Sequence, residues 1–248
     1  MTGEARRRTE CLWRRHARRA LLALCLCPAA QAGADSILEA RYDTPTTRYG
    51  HAVLGDDIEY GSLVLVMASG AVRRIVLPET SVFEDTAPRL SDLDGDGAPE
   101  VIAVESDQRR GARLAVFDAG GLVAATPYIG TRFRWLAPLG AADLDGDGLM
   151  EIAYVDRPHL AKTLRIWRFE EGRLTPFADL PGFTNHRIGE SDIAGGIRRC
   201  GGQPEMILAT ADWTELVALR LVGGGLEVRK LGSDTSRAAF ARAMSCAG

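Results

Sequence analysis

Asp92-Leu93-Asp94-Gly95-Asp96-Gly97-Ala98-Pro99-Glu100 recurs 51 residues later as Asp143-Leu144-Asp145-Gly146-Asp147-Gly148-Leu149-Met150-Glu151. Both copies carry acidic residues at positions one, three, five and nine. A hard cation such as Ca2+ takes only oxygen ligands, roughly six to eight of them. Alternating carboxylates on a tight loop can point at one centre, and the backbone carbonyl of the seventh residue (Ala98, Leu149) adds a further oxygen. Two Ca2+ sites are therefore expected, one on Asp92, Asp94, Asp96, Ala98 and Glu100, the other on Asp143, Asp145, Asp147, Leu149 and Glu151. The competing reading is a pair of acidic Asp-Gly turns without metal, which two copies with matching ligand positions disfavour.

The first half of each loop reads like an EF-hand, but an EF-hand also needs a bidentate Glu at position twelve and flanking helices. Position twelve is Ala103 in one copy and Tyr154 in the other. The loops run on into Glu100-Val101-Ile102-Ala103-Val104 and Glu151-Ile152-Ala153-Tyr154-Val155, short β-branched apolar runs that predict buried strands. Each loop thus leads into a strand, and the Glu at position nine takes over from the missing helix ligand.

The loops mark a longer period. From Asp143 to Asp192 is 49 residues, a spacing typical of propeller or solenoid units. Arg113–Phe117, Leu164–Phe169 and Leu216–Leu221 align as strands, each followed by a Gly-containing turn. The next strands are Leu122–Ala125, Leu174–Phe177 and Leu226–Arg229. The unit that begins at Asp192 keeps only Asp192 and Glu205 as loop carboxylates. It is five residues longer and carries Arg198 and Arg199, which repel a cation. An N-terminal unit is read from Tyr49–Leu54, Ser62–Met67 and Val72–Leu77. The expected fold is all-β: a small β-propeller of about four blades, each a four-stranded antiparallel sheet. Ring closure needs a last strand, since an open edge invites aggregation. Ser236–Ala247 reads equally well as that strand or as a short helix.

These residues resemble the FG-GAP or VCBS repeat family, related to the blades of integrin α-subunit heads. Its pattern is Asp-hydrophobic-Asp-Gly-Asp-Gly-x-x-Glu-(Ile/Val), which 92–101 and 143–152 match in full and the Asp192 unit matches only in its strands. The resemblance spans about Arg41 to Lys230. It implies calcium within blade loops and extracytoplasmic binding or adhesion, with a protein or carbohydrate as partner. Such propellers commonly have seven blades, whereas four units are found in this sequence.

The N-terminus reads as a targeting segment. Seven arginines precede the apolar run Ala20–Cys27, and Ala30-Gln31-Ala32 and Ala32-Gly33-Ala34 both fit a signal cleavage site. Residues 1–34 are expected to be a secretory signal, residues 35–248 the repeat domain, and the destination secreted or periplasmic. The alternative is a retained amphipathic arm. The signal is too short to span a membrane, and no other segment is apolar enough to do so.

Removing residues 1–32 takes seven of 30 basic and two of 33 acidic side chains, leaving 23 and 31, a net charge of −8 with histidine neutral. That balance argues against nucleic acid, which needs a basic face. Two cysteines remain, Cys200 and Cys246. An oxidising compartment permits them to pair and pin the tail beside the last unit; the alternative is two separate thiols.

No nucleophile elbow, phosphate loop or dinucleotide fingerprint occurs. His51, His159 and His186 stand far apart in sequence, without zinc spacing, and read as surface or turn histidines. Trp135, Trp167 and Trp213 could stack a sugar or peptide; Trp167 reads as blade packing, the other two as freer to face a partner. The expected function is a secreted, calcium-binding, non-catalytic binding or adhesion module. Its alternatives are a hydrolase or lyase on the same scaffold, favoured by a His and a carboxylate meeting in a central cavity, and a structural module docking into a larger assembly.

Overall fold

A computed structural model describes residues 35–246, so the expected signal segment lies outside the described residues. The strands run in four successive antiparallel units. Unit one holds β1 (Ile37–Thr46), β2 (Glu59–Met67) and β3 (Val72–Val76). Unit two holds β4 (Ser81–Phe83), β5 (Arg89–Ser91), β6 (Glu100–Asp107), β7 (Gly111–Asp118) and β8 (Gly121–Ala125). Unit three is β9 (Leu136–Ala142), β10 (Met150–Asp156), β11 (Thr163–Glu170) and β12 (Arg173–Pro181). Unit four is β13 (Phe183–Thr184), β14 (Gly196–Arg198), β15 (Glu205–Thr210), β16 (Leu216–Val222) and β17 (Gly225–Gly232), followed by helix α1 (Arg237–Met244).

The expectation of four separate four-stranded sheets is corrected. Among the described residues there are three sheets, of eight, four and five strands. Units one and two share the largest, because the first strand of unit two is broken. Its upper half, β4, pairs with β6 and also touches β2 through Tyr60 and Phe83, while β5 pairs with β6 farther down. The first strand of unit four is likewise split, and β13 and β14 both pair with β15. The first strand of unit one is β1, paired with β2 over most of its length. Tyr49–Leu54, read as a strand, is loop instead.

The central strands are buried on both faces, which is why they read as unbroken apolar runs rather than alternating ones. In β6, Val101 and Ala103 pack with Leu63, Leu65 and Phe83 toward unit one, while Ile102 and Val104 pack with Ile152 and Tyr154 toward unit three. In β10, Ala153 and Val155 turn the other way and meet Met206 and Leu208 of unit four. In β15, Ile207 and Ala209 face α1, packing against Ala239, Phe240 and Ala243. The tail is thus a helix, capped by the Ser236 side chain accepting from Ala239 N. It covers the face of unit four opposite the one packed on unit three. At the other end, the outer face of unit one is mixed: Arg74 is joined to Asp43, Thr44 and Ser62, and Val72 and Val76 on either side of it are exposed.

Cys200 and Cys246 form a disulfide with Cα atoms 5.6 Å apart, so the loop of unit four and the end of α1 are tied. No helix among the described residues is long and apolar enough to cross a membrane.

Candidate functional site

Each acidic loop organises itself through side-chain-to-backbone hydrogen bonds. Gly95 and Gly97 sit at φ +78° and +89°, and Gly146 and Gly148 at +84° and +93°, a region other residues rarely adopt. These turns aim backbone N–H groups inward. Asp92 accepts from Gly95 N and Gly97 N, Asp94 from Asp96 N, and Asp96 from Ala98 N. Asp143, Asp145 and Asp147 repeat the set. Glu100 and Glu151 close the loops from the start of the strand, accepting from Leu93 N and Leu144 N, each at 2.8 Å.

Carboxylate oxygens of Asp92, Asp94 and Asp96 lie within 4.8 Å of one another, as do those of Asp143, Asp145 and Glu151. The donor set is all oxygen, which suits a hard cation. Glu100 stays on the Leu93 amide beside the first trio. Its carboxyl is raised above the usual range by burial, then by Asp94 and Asp96. Ala98 and Leu149 sit at the loop position whose carbonyl was read as a ligand.

The second loop differs from the first in one residue that the loop sequence does not contain. Arg168 of β11 stands opposite Glu151 and reaches Asp145 at 2.8 Å, Asp147 at 2.8 Å and Glu151 at 2.7 Å. Its guanidinium therefore pairs with three of the four carboxylates and offsets one unit of their charge from within the chain. In unit four the replacement is complete: Glu205 pairs with Arg198, Arg220 and Arg229, and Asp192 with Arg237. Burial raises the Glu205 carboxyl, but Arg229 and Arg198 outweigh it and hold it below its usual range.

A second cluster forms where the first strands of the units meet. The three histidines, expected to be separate, are brought together, which corrects that reading. His51 Nδ1 lies 2.5 Å from Glu84 Oε1, and its ring stacks on Phe133. Glu84 is fully buried, also accepts from Ser106, and is raised above the usual carboxylate range by that burial. His159 Nε2 lies 3.0 Å from His186 Nδ1. His186 Nε2 is 2.8 Å from the Glu190 carbonyl, which only accepts, so that nitrogen carries the proton and Nδ1 receives the His159 N–H. Burial lowers both rings, His159 to about 4 with help from its histidine neighbours, so both are neutral at pH 7. Trp135, read as free to face a partner, is instead 2% exposed, donates to the Glu84 carbonyl at 2.8 Å and packs edge-on to His186. Trp213 is covered by Arg187 and Phe240, and Trp167 packs against the core between units two and three. No spacing signal could have revealed this cluster, because its members come from five different loops.

Residues 92–154 match the family model described as FG-GAP-like repeat, and no curated protein matches the chain. The matched segment runs from the first acidic loop through β6 to β9 and the second loop into β10. Its elements are the ones that alternate loop, buried strand and hairpin in the structure, so this segment, about a quarter of the chain, is similar to an FG-GAP-like repeat.

Proposed function

We propose that the chain is an exported, calcium-stabilised binding module built of four propeller-type units, with the ion structural and no catalytic role. The observation that carries this reading is the first acidic loop. Three aspartates converge with no guanidinium among them, so their mutual repulsion is relieved by an external cation. The second loop is the weaker of two sites, because Arg168 already occupies its charge. The disulfide supports export. The partner class is a protein or carbohydrate rather than nucleic acid, for which the acidic balance is wrong.

The hydrolase alternative asks for a His and a carboxylate at a central cavity, and His51 and Glu84 do meet. On that arrangement the nucleophile of a hydrolase would be a water activated by the His51–Glu84 pair; we take binding as the function because the acidic loops carry the reading.

Thermal unfolding of the purified protein tests the metal reading. Calcium at about 100 times its dissociation constant adds about 2.7 kcal/mol. For a domain of this size that is a rise of roughly 5–10 °C in Tm over chelator. Asp94→Ala should lose most of that rise and change little in chelator. An equal loss in both conditions would sink the metal site.

A further inference from the structure

Beside the histidines lies a cavity of about 200 Å³. Phe133 and Trp135 form aromatic wall, and His51 and His159 add imidazole edges. At the same cavity stand Leu160 and Ile188, 62% and 73% exposed, two large apolar side chains left uncovered. No acidic side chain among the described residues lines it. Of its two arginines, Arg157 is held by both oxygens of Asp156 at 2.7 and 2.9 Å. Arg134 donates only to the Phe133 carbonyl and has no carboxylate partner among the described residues. His51 spends Nδ1 on Glu84, and its Nε2 has no protein partner among the described residues.

The backbone around the cavity is held in costly conformations. Ala52, Phe133 and Arg157 have φ of 53°, 55° and 47°. For a residue as bulky as Phe this is a true outlier, of the kind that persists where surroundings impose it and that clusters at ligand sites. The imposing contacts are visible: Phe133 N donates to Tyr49 OH, Ala112 N to the Arg134 carbonyl, and Arg157 N to the Trp135 carbonyl.

We propose that this cavity binds a carboxylate that carries an aromatic or branched apolar group. The apolar group lies against Phe133 and Trp135 with Leu160 and Ile188 closing over it. The carboxylate takes the one unpaired guanidinium, Arg134, with His51 Nε2 beside it. Apolar walls with a few convergent polar groups are the usual make-up of a small-ligand pocket, and a single unpaired cation selects a single anionic head. The same chemistry is offered by a free small acid or by a chain terminus ending in an apolar residue. The inference rests on the reading of the chain as a binding module and not on its ions.

Calorimetry tests it, run both with calcium and with chelator so that failure of the metal reading leaves the result intact. The probes are 3-phenylpropionate, 3-phenylpropanamide, and the peptide Gly-Gly-Gly-Phe with a free or an amidated C-terminus. One-to-one saturable binding is expected for the acid or the free peptide, at least tenfold weaker for the matching amide and for Arg134→Gln. Leu160→Ser, at an exposed position, should weaken binding with no change in Tm. Tighter binding of the peptide identifies a chain terminus as the source, and tighter binding of the free acid a small molecule. No saturation by about 10 mM for either acid would overturn the proposal, as would equal affinity for acids and amides or for Arg134→Gln.

Discussion

A glutamate closes each of the three related loops, and its neighbours differ in a graded way. Among the described residues Glu100 has no guanidinium partner, Glu151 has Arg168, and Glu205 has three arginines. The same buried carboxylate is thus answered by an outside cation, by a mixture, or by the chain itself. Arg168→Gln removes the competing charge from the second loop, so its calcium affinity should rise by about tenfold, as one lost like-charge interaction of about 1.4 kcal/mol implies. Titration calorimetry that returns an unchanged second site would contradict this. Glu59 makes a different residue-scale case. It is 2% exposed, and burial, then Glu84, Asp56 and Asp85, raise its carboxyl to about 9. Below about 4.5 both folded and unfolded chains hold the proton, and this group contributes no pH dependence. Between about 4.5 and 9 the folded chain holds a proton that the unfolded chain has lost, so stability falls as pH rises, by up to about 1.4 kcal/mol per pH unit. Glu59→Gln keeps the neutral form at every pH. Denaturant unfolding at pH 5 and pH 8 should show a flatter dependence for the variant and a clear gain over the parent at pH 8. Parallel curves for the two proteins would show that Glu59 is not the source.

At the scale of elements, the strands were legible and their grouping was not. β6, β10 and β15 announce themselves as apolar runs behind a loop, and the hairpins behind them follow from Gly-containing turns. The split first strands did not show, because β4, β5, β13 and β14 are two or three residues long, too short to carry a period. Nor did the sharing of one sheet by units one and two, which hangs on a single pair, Tyr60 and Phe83. The tail was open between strand and helix. Its alanines and arginines favour a helix locally, and burial of Ala239, Phe240 and Ala243 against unit four settles it. The helix is only eight residues, below the length that stands alone in water, so it depends on packing and on the bridge from Cys246 to Cys200. Closing a loop across 46 residues of separation is worth about 2–4 kcal/mol. Cys200→Ser should cost about that much in oxidised protein and nothing once both proteins are reduced. Equal stability in the oxidised state would mean that the bridge adds nothing.

Across the whole molecule, the units stack so that each core lies between neighbours. Three of the four clusters join successive units, and the fourth joins unit four to α1. Stability in such an array is carried by interfaces, and its ends need caps. Helix α1 acts as the cap of unit four. Amide exchange should therefore be slowest in β6 and β10, buried between units on both faces. It should be fast in the outer strands β3, β12 and β17, whose side chains are mostly exposed. Faster exchange in β6 than in β3 would contradict the layered account. What the sequence by itself determined was the repeat: acidic loop, buried strand, hairpin, and the place where the loop degenerates. These are local patterns, set by ligand spacing, turn chemistry and side-chain periodicity within a few residues. Tertiary structure alone decided the rest. Arg198 was legible within its loop, but Arg168, Arg220 and Arg229 stand on neighbouring strands, and the three histidines come from positions 51, 159 and 186. Contacts between residues so far apart depend on how units stack, and no local pattern encodes that.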